Sequence, residues 1–241
     1  MLELDDGSGR PMCGGDVTSP GPASEMRLTR LANPRLPPFE GLPMPNRLAV
    51  ALSSAALLAL PLAASAQAVE SGAYKLEPMH TEVVFDVLHM GFTKYFGVFS
   101  GASGSLVLDA ANPAASKLDV SVPVSSVFTP SDRLAGELKS AQWLDAGKYP
   151  AMTFHSTSIV STGPTTADVT GDLTLHGVTH PEVLHVSFNH AAANPMNKAY
   201  TAGFQATGVI KRSDFGVSTY VPLISDEVDL TISAAFEKTP S

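Results

Sequence analysis

From Tyr74 onward the chain alternates apolar with polar residues, a period of two that sets successive side chains on opposite faces of a β-strand. Val83, Phe85 and Val87 share one face, and His89 falls on the same parity. Leu106 and Leu108 repeat the pattern, followed by Leu118, Val120, Val122 and Val124 against Asp119, Ser121 and Pro123. Met152 and Phe154 oppose Thr153 and His155, and Val169, Gly171, Leu173 and Leu175 oppose Asp168, Thr170, Asp172 and Thr174. Three runs complete the set: Leu184 to Phe188, Phe204 with Ala206, and Val228 to Phe236. The pattern predicts about eight strands, each with one apolar and one wet face, joined at turn-rich stretches such as Asn112-Pro113, Thr162-Gly163-Pro164 and Asn194-Pro195. Only Ser131 to Lys139 carries helical spacing, with Leu134 and Leu138 four apart and Ser131 or Asp132 as N-cap, which reads as a lid or plug helix.

Antiparallel strands in this number, each wet on one side, pack as two sheets or close into a barrel. In a barrel the apolar faces converge, and about eight strands enclose an interior that is filled by side chains or holds one small ligand. The residues predicted to line it are Phe85, Val87, Phe154, Leu173, Leu175, Phe204 and Leu230, with His89 added by parity. The aromatic cluster Phe92, Tyr95, Phe96 and Phe99 reads equally as barrel core or cavity mouth, and Phe96 is placed in the lining from it. Small residues at inward positions, Gly171, Ala206 and Ala234, favour open space inside.

A different pattern precedes the strands. Residues 44–68 begin with one positive charge at Arg47, continue as an uncharged apolar run from Leu48 to Leu60, and end in small residues at A-x-A spacing. This is the signature of a secretory leader cleaved after Ala66 or Ala68. The run is too short for a transmembrane helix, which needs about 20 apolar residues, and Pro61 ends it. The leader predicts a periplasmic protein, with residues 69–241 as the mature domain. Residues 1–43, rich in Pro, Gly, Ser and Arg and without apolar period, are expected to be disordered or never translated, with Met44 as the initiator. Removing residues 1–68 leaves ten basic against seventeen acidic residues, a net charge of -7. An acidic domain with no basic stripe is a poor partner for nucleic acid.

The candidate chemistry is sparse. The only cysteine, Cys13, precedes the mature domain, so no disulfide, thiolate nucleophile or cysteine metal ligand is available there. Seven histidines invite a metal or haem reading, four of them (His176, His180, His185 and His190) at four- or five-residue steps. On a helix such spacing would gather ligands. Here His176 and His180 fall across a hairpin turn, and His185 and His190 have opposite strand parity, so no metal site is assigned. Asp226, Glu227 and Asp229 read as a solvated strand edge. Nucleophile elbow, phosphate loop and dinucleotide fingerprint are all missing, and no catalytic residue is assigned.

Several stretches resemble the YceI-like family. His80-x4-Phe85-x-Val87-x-His89-x-Gly91 with Gly97-x-Phe99 is similar to that family's first hairpin, and Arg133, Trp143-Leu144-Asp145 and Tyr149-Pro150 to its helix-and-lid region. Gly171-Asp172-Leu173-Thr174-Leu175-His176-Gly177-Val178-Thr179 and Arg212-x-x-Phe215-Gly216 resemble its later motifs. Thr81, Glu77, Val217 and His180 depart from the common residues, which bears on the head group accepted more than on the fold. The resemblance implies an all-β, antiparallel, lipocalin-like barrel with one short helix that takes a polyisoprenoid or quinone-like lipid into its interior. It implies no other cofactor, no enzyme activity, and a homodimer as the usual state. Two other readings stand beside it: a histidine-based metal- or haem-handling protein, and a stress-associated barrel making transient contact with the membrane or a membrane redox protein.

Overall fold

The computed structural model describes residues 69–240; the leader and the preceding extension lie outside the described residues. Nine strands form one antiparallel sheet: β1 Gly72–His89, β2 Thr93–Phe99, β3 Ser103–Leu108, β4 Lys117–Pro123, β5 Ala151–Ser161, β6 Thr166–Leu175, β7 Val178–Ala193, β8 Tyr200–Lys211 and β9 Glu227–Lys238. Neighbours in sequence pair around the sheet, and β9 closes on β1, with Phe85 opposite Leu230 and Tyr74 opposite Lys238. The long β1 pairs along its other edge with β3 near its start (Tyr74 opposite Leu106) and with β2 near its end (Val87 opposite Tyr95). β2 and β3 are thus one stave broken at Ser100 to Ala102, and the product is a closed eight-strand antiparallel barrel.

Closure follows from the sequence pattern. Eight two-faced staves joined mostly by short turns leave no edge exposed once the last meets the first. The β6–β7 connection is a two-residue turn, His176-Gly177, with φ of 52° and 77°, the left-handed pair that matches the strand twist. The β1–β2 turn uses Met90 (φ 53°) and Gly91 (φ 74°).

One rim of the barrel, the Met90 end, gathers the β1–β2 turn, the β4–β5 connection, the β6–β7 turn and the β8–β9 connection. The opposite rim, the Gly163 end, gathers the turns after β3, β5 and β7. Because β2 does not pair with β4, the wall is incomplete at the Met90 end, and the β4–β5 connection fills the gap. It contains the helix α1, Asp132–Leu138, whose N-cap Ser131 accepts a hydrogen bond from the Leu134 N–H at 3.4 Å. Leu138 and Leu144 pack on the buried cluster around Phe99, Leu106 and Val122. The helix therefore sits where its spacing placed it, as a cover on the barrel.

Candidate functional site

The strand faces converge on a cavity of about 780 Å³ that runs between the two rims. Phe85, Val87, Phe154, Leu173, Leu175, Phe204 and Leu230 line it, as does His89, half-buried near the Met90 end. Phe96 does not. It pairs with Asp86 on the outer face and is 51% exposed, while Tyr95, Gly97 and Phe99 take the inward positions. The β1–β2 register decides this: Phe85 and Val87 point in, so their partners Gly97 and Tyr95 must as well.

The small inward residues do not all leave room for a ligand. A Cβ on Gly171 would lie 2.4 Å from the Phe154 ring, and one on Gly97 would lie 2.2 Å from the Phe85 ring. Each glycine is the seat of a neighbouring phenyl ring. The cavity lies between these aromatics and a second set in which Phe204 sits 5.6 Å from Phe188 and, edge to face, 6.0 Å from Phe236. Pairs at such separations add to the area they bury, so the wall is stiff and apolar.

Polar groups enter the wall at a few points. Glu182 shares the inward parity of Leu184, Val186 and Phe188, and burial, with help from Asp214, pushes its carboxyl above the ordinary range. Trp143, the chain's one tryptophan, is 7% exposed, and its indole N–H has no hydrogen-bond partner among the described residues. Its ring lies 5.3 Å from the guanidinium carbon of Arg212 and 6.3 Å from the Tyr220 ring.

Arg212 organises the Met90 end. It is 4% exposed, and its donors reach four backbone carbonyls: Nε to Ser225 at 2.9 Å, Nη1 to Val217 at 2.8 Å and Thr219 at 2.9 Å, and Nη2 to Ile224 at 2.9 Å. One rigid fork thus holds most of the β8–β9 connection. Burial pulls its pKa below the ordinary value, with the Asp226 charge opposing, yet a guanidinium keeps its proton at neutral pH. Asp226 accepts from the Ser213 N–H at 2.9 Å and the Ser213 hydroxyl at 2.7 Å, and the hydroxyl bond contributes most to holding its carboxyl below the usual range. A depressed carboxylate stabilises the fold above its unfolded pKa, and that contribution is lost as pH falls through the folded one. Lowering the pH from 6 through the aspartate range should therefore cost the wild type more thermal stability than Asp226→Asn, as thermal melts at stepped pH would show.

The histidines are spread over the barrel. His155 pairs with Asp119 at 2.6 Å and His185 with Asp168 at 2.7 Å, both on the wet face. His176 sits in its turn with Nδ1 3.1 Å from the Phe215 carbonyl oxygen and its ring 4.7 Å from Tyr149, and His180 stands edge-on to Phe215. Among the described residues no group of three or more His, Cys, Asp or Glu side chains is placed to hold a metal ion.

The family model of the YceI-like domain matches residues 74–236, which span the barrel from β1 to β9. The chain belongs to the YceI-like family. A UPF0312 protein of Pseudomonas savastanoi is 41% identical over 157 residues, covering 65% of this chain and 81% of the relative. Among solved structures, the YceI protein of Campylobacter jejuni is similar at TM-score 0.57 and 29% identity, over 63% of this chain and 90% of that one. A polyisoprenoid binding domain from Saccharophagus degradans is similar at TM-score 0.54 over 70% of this chain and all of that one, and at 15% identity it shows the fold alone. The YceI-like motifs fall at the Met90 end or in the cavity wall: Phe85 to Gly91 in β1 and its turn, Trp143 and Arg212 against each other, and Gly171 to Thr179 across the β6–β7 turn. Sequence reasoning missed Tyr95 and Glu182 as lining residues. Strand parity carried a signal for Glu182, through Leu184, Val186 and Phe188, whereas Tyr95 is assigned only by its pairing with Val87.

Proposed function

We propose that the barrel binds one long apolar lipid, a polyisoprenoid or quinone-like molecule, and stores or carries it in the periplasm without acting on it chemically. The observation that carries this reading is the cavity of about 780 Å³ inside a closed barrel, walled by aliphatic and aromatic side chains. Binding pockets of this size are usually largely pre-formed and apolar with few polar groups, as here. Each buried CH₂ is worth about 0.8 kcal/mol, so a five-carbon unit contributes about 3 to 4 kcal/mol and a few units suffice for tight binding. Burying an entire long chain would pass the practical ceiling near 18 to 21 kcal/mol, so part of a long ligand stays outside or its ordering offsets the gain. The YceI-like family and the polyisoprenoid binding named for the Saccharophagus domain support the ligand class. The leader at residues 44–68 supports the compartment.

Native mass spectrometry of protein recovered from the periplasm of a bacterium expressing the full chain tests both parts. The expected polypeptide mass begins at residue 67 or 69, and the expected adduct is one hydrophobic molecule released by organic solvent. A chain retaining Leu48 to Leu60 would defeat the export reading. Protein that holds no extractable lipid and takes up no added ubiquinone would defeat the lipid reading, and stoichiometric metal in elemental analysis would favour the histidines instead.

A further inference from the structure

The two rims of the cavity differ in chemistry. At the Gly163 end the lining includes Ser116, Ser161, Thr165 and Thr166 beside Leu108, Ala110, Pro113 and Pro164. At the Met90 end it includes Met90, Tyr95, Tyr220, Leu223 and Ile224, with Glu137 and Arg212 from the β4–β5 and β8–β9 connections. There the side chains also project outward. Phe92, at the tip of the β1–β2 turn, is 85% exposed, Leu223 is 60% exposed, and Met90 and Tyr220 are each half exposed or more. The turn and the β8–β9 connection are joined into one lip. The Met90 N–H donates to the Leu223 carbonyl at 2.7 Å, the Ser225 N–H to the Leu88 carbonyl at 2.9 Å, and the Leu88 N–H to the Ser225 hydroxyl at 2.9 Å.

The two segments that make this lip share a second property. Residues 87–93 and 215–225 contain no Asp, Glu, Lys or Arg, although residues 69–241 carry a net charge of -7. Lys94, which follows the first segment, is paired with Asp86 at 2.8 Å and Asp229 at 2.6 Å. An apolar lip without charges can enter a bilayer interface without desolvating an ion, and protruding aromatic and aliphatic groups at its tip are suited to that depth.

We propose that the Met90 end is a membrane-docking lip, in which Phe92, Leu223, Met90 and Tyr220 enter the lipid interface and open the cavity directly to the bilayer. The proposal rests on the reading of the cavity as a lipid site. A lipid passing between membrane and cavity then never crosses water. The occupant is a bilayer rather than a second copy of the chain, because the exposed groups stand on a lip without charges beside the cavity's opening. A second barrel seated there would cap the opening. The acidic body of the protein makes anionic headgroups an unfavourable surface, so docking is driven by apolar insertion and is insensitive to salt.

Flotation of the processed protein purified from the periplasm with neutral phosphatidylcholine vesicles, at low and high salt, tests this. The expected result is binding that persists in high salt and weakens about tenfold in Phe92→Ser, the lost apolar contact being worth about one decade. The thermal midpoint and the uptake of ubiquinone from detergent solution should be unchanged in that variant, since Phe92 projects from the turn and is not part of the cavity lining. Wild-type protein that does not float, or a variant that floats equally well, overturns the proposal. Binding confined to phosphatidylglycerol vesicles and abolished by salt overturns it too, as does a dimer that dissociates in the variant while neither form binds vesicles. Failure of the lipid reading is separable: protein that docks through the lip yet never carries or accepts a lipid would refute the cavity's role and leave docking intact.

Discussion

Replacing Arg212 by methionine is expected to lower stability by about 3 to 5 kcal/mol, near the limit of what a single substitution does. The side chain is 4% exposed, and its loss strands four carbonyls, of Val217, Thr219, Ile224 and Ser225, that it alone gathers. A buried acceptor left without a donor costs about 1 to 3 kcal/mol, and opening of the β8–β9 connection to water returns part of that. Methionine fills much of the volume, so the loss is polar rather than a cavity. Thermal denaturation should show a midpoint lower by about 10 °C or more, given about 2 to 4 °C per kcal/mol in a domain of this size. Arg212→Lys should fall between the two, because an ammonium has three donors at one point and cannot span carbonyls that now meet separate arms of a fork. A wild-type melt for Arg212→Met would mean that the guanidinium does not hold the Met90 end together.

Phe204→Gln should empty the cavity while leaving the barrel folded. The ring lies between Phe188 and Phe236 and faces the cavity, so an amide there meets no partner and costs about 1 to 3 kcal/mol where a ligand would otherwise pack. Thr207→Gln, on the wet face of the same strand and paired with Thr231, should change nothing beyond a few tenths of a kcal/mol. The measurement is paired, with extracted lipid per protein beside the thermal midpoint for each variant. Folded Phe204→Gln protein with undiminished lipid would reject the cavity as the binding site. Trp143 offers a further readout, since it lines the cavity and is the chain's one tryptophan: its fluorescence should change on addition of a quinone to wild-type protein and respond less in Phe204→Gln.

Much of the wall is legible in the order of amino acids, because strand parity is a local property. Once Val83 to His89 is a strand, Phe85 and Val87 share a face whatever lies next to it, and the same holds for Leu173 with Leu175 and for Phe204 with Ala206. The helix is equally local, written in the Ser131 cap and the Leu134 to Leu138 spacing. The position of Phe96 is not. Its run, Thr93 to Phe99, is apolar at nearly every residue from Tyr95 on, so parity within the run names no inward face. Only the pairing of Asp86 with Phe96 and of Phe85 with Gly97 assigns one.

The sequence by itself determined the eight two-faced staves, the order in which short turns join them, and the apolar character of what they enclose, since each of these rests on residues within a few positions of one another. The tertiary structure decided what distance along the chain conceals. It filled the space over Gly97 and Gly171 with the rings of Phe85 and Phe154, so that small inward residues did not simply add to the cavity. It turned Arg212, one charged residue among ten basic ones in residues 69–241, into a buried fork for four carbonyls. It also brought Met90 and Leu223, more than a hundred residues apart, into one hydrogen-bonded lip. Register, ring packing and burial depend on which strand lies across the ladder and how far it has slid, and that is settled when the barrel closes, because only then does every backbone donor have its partner.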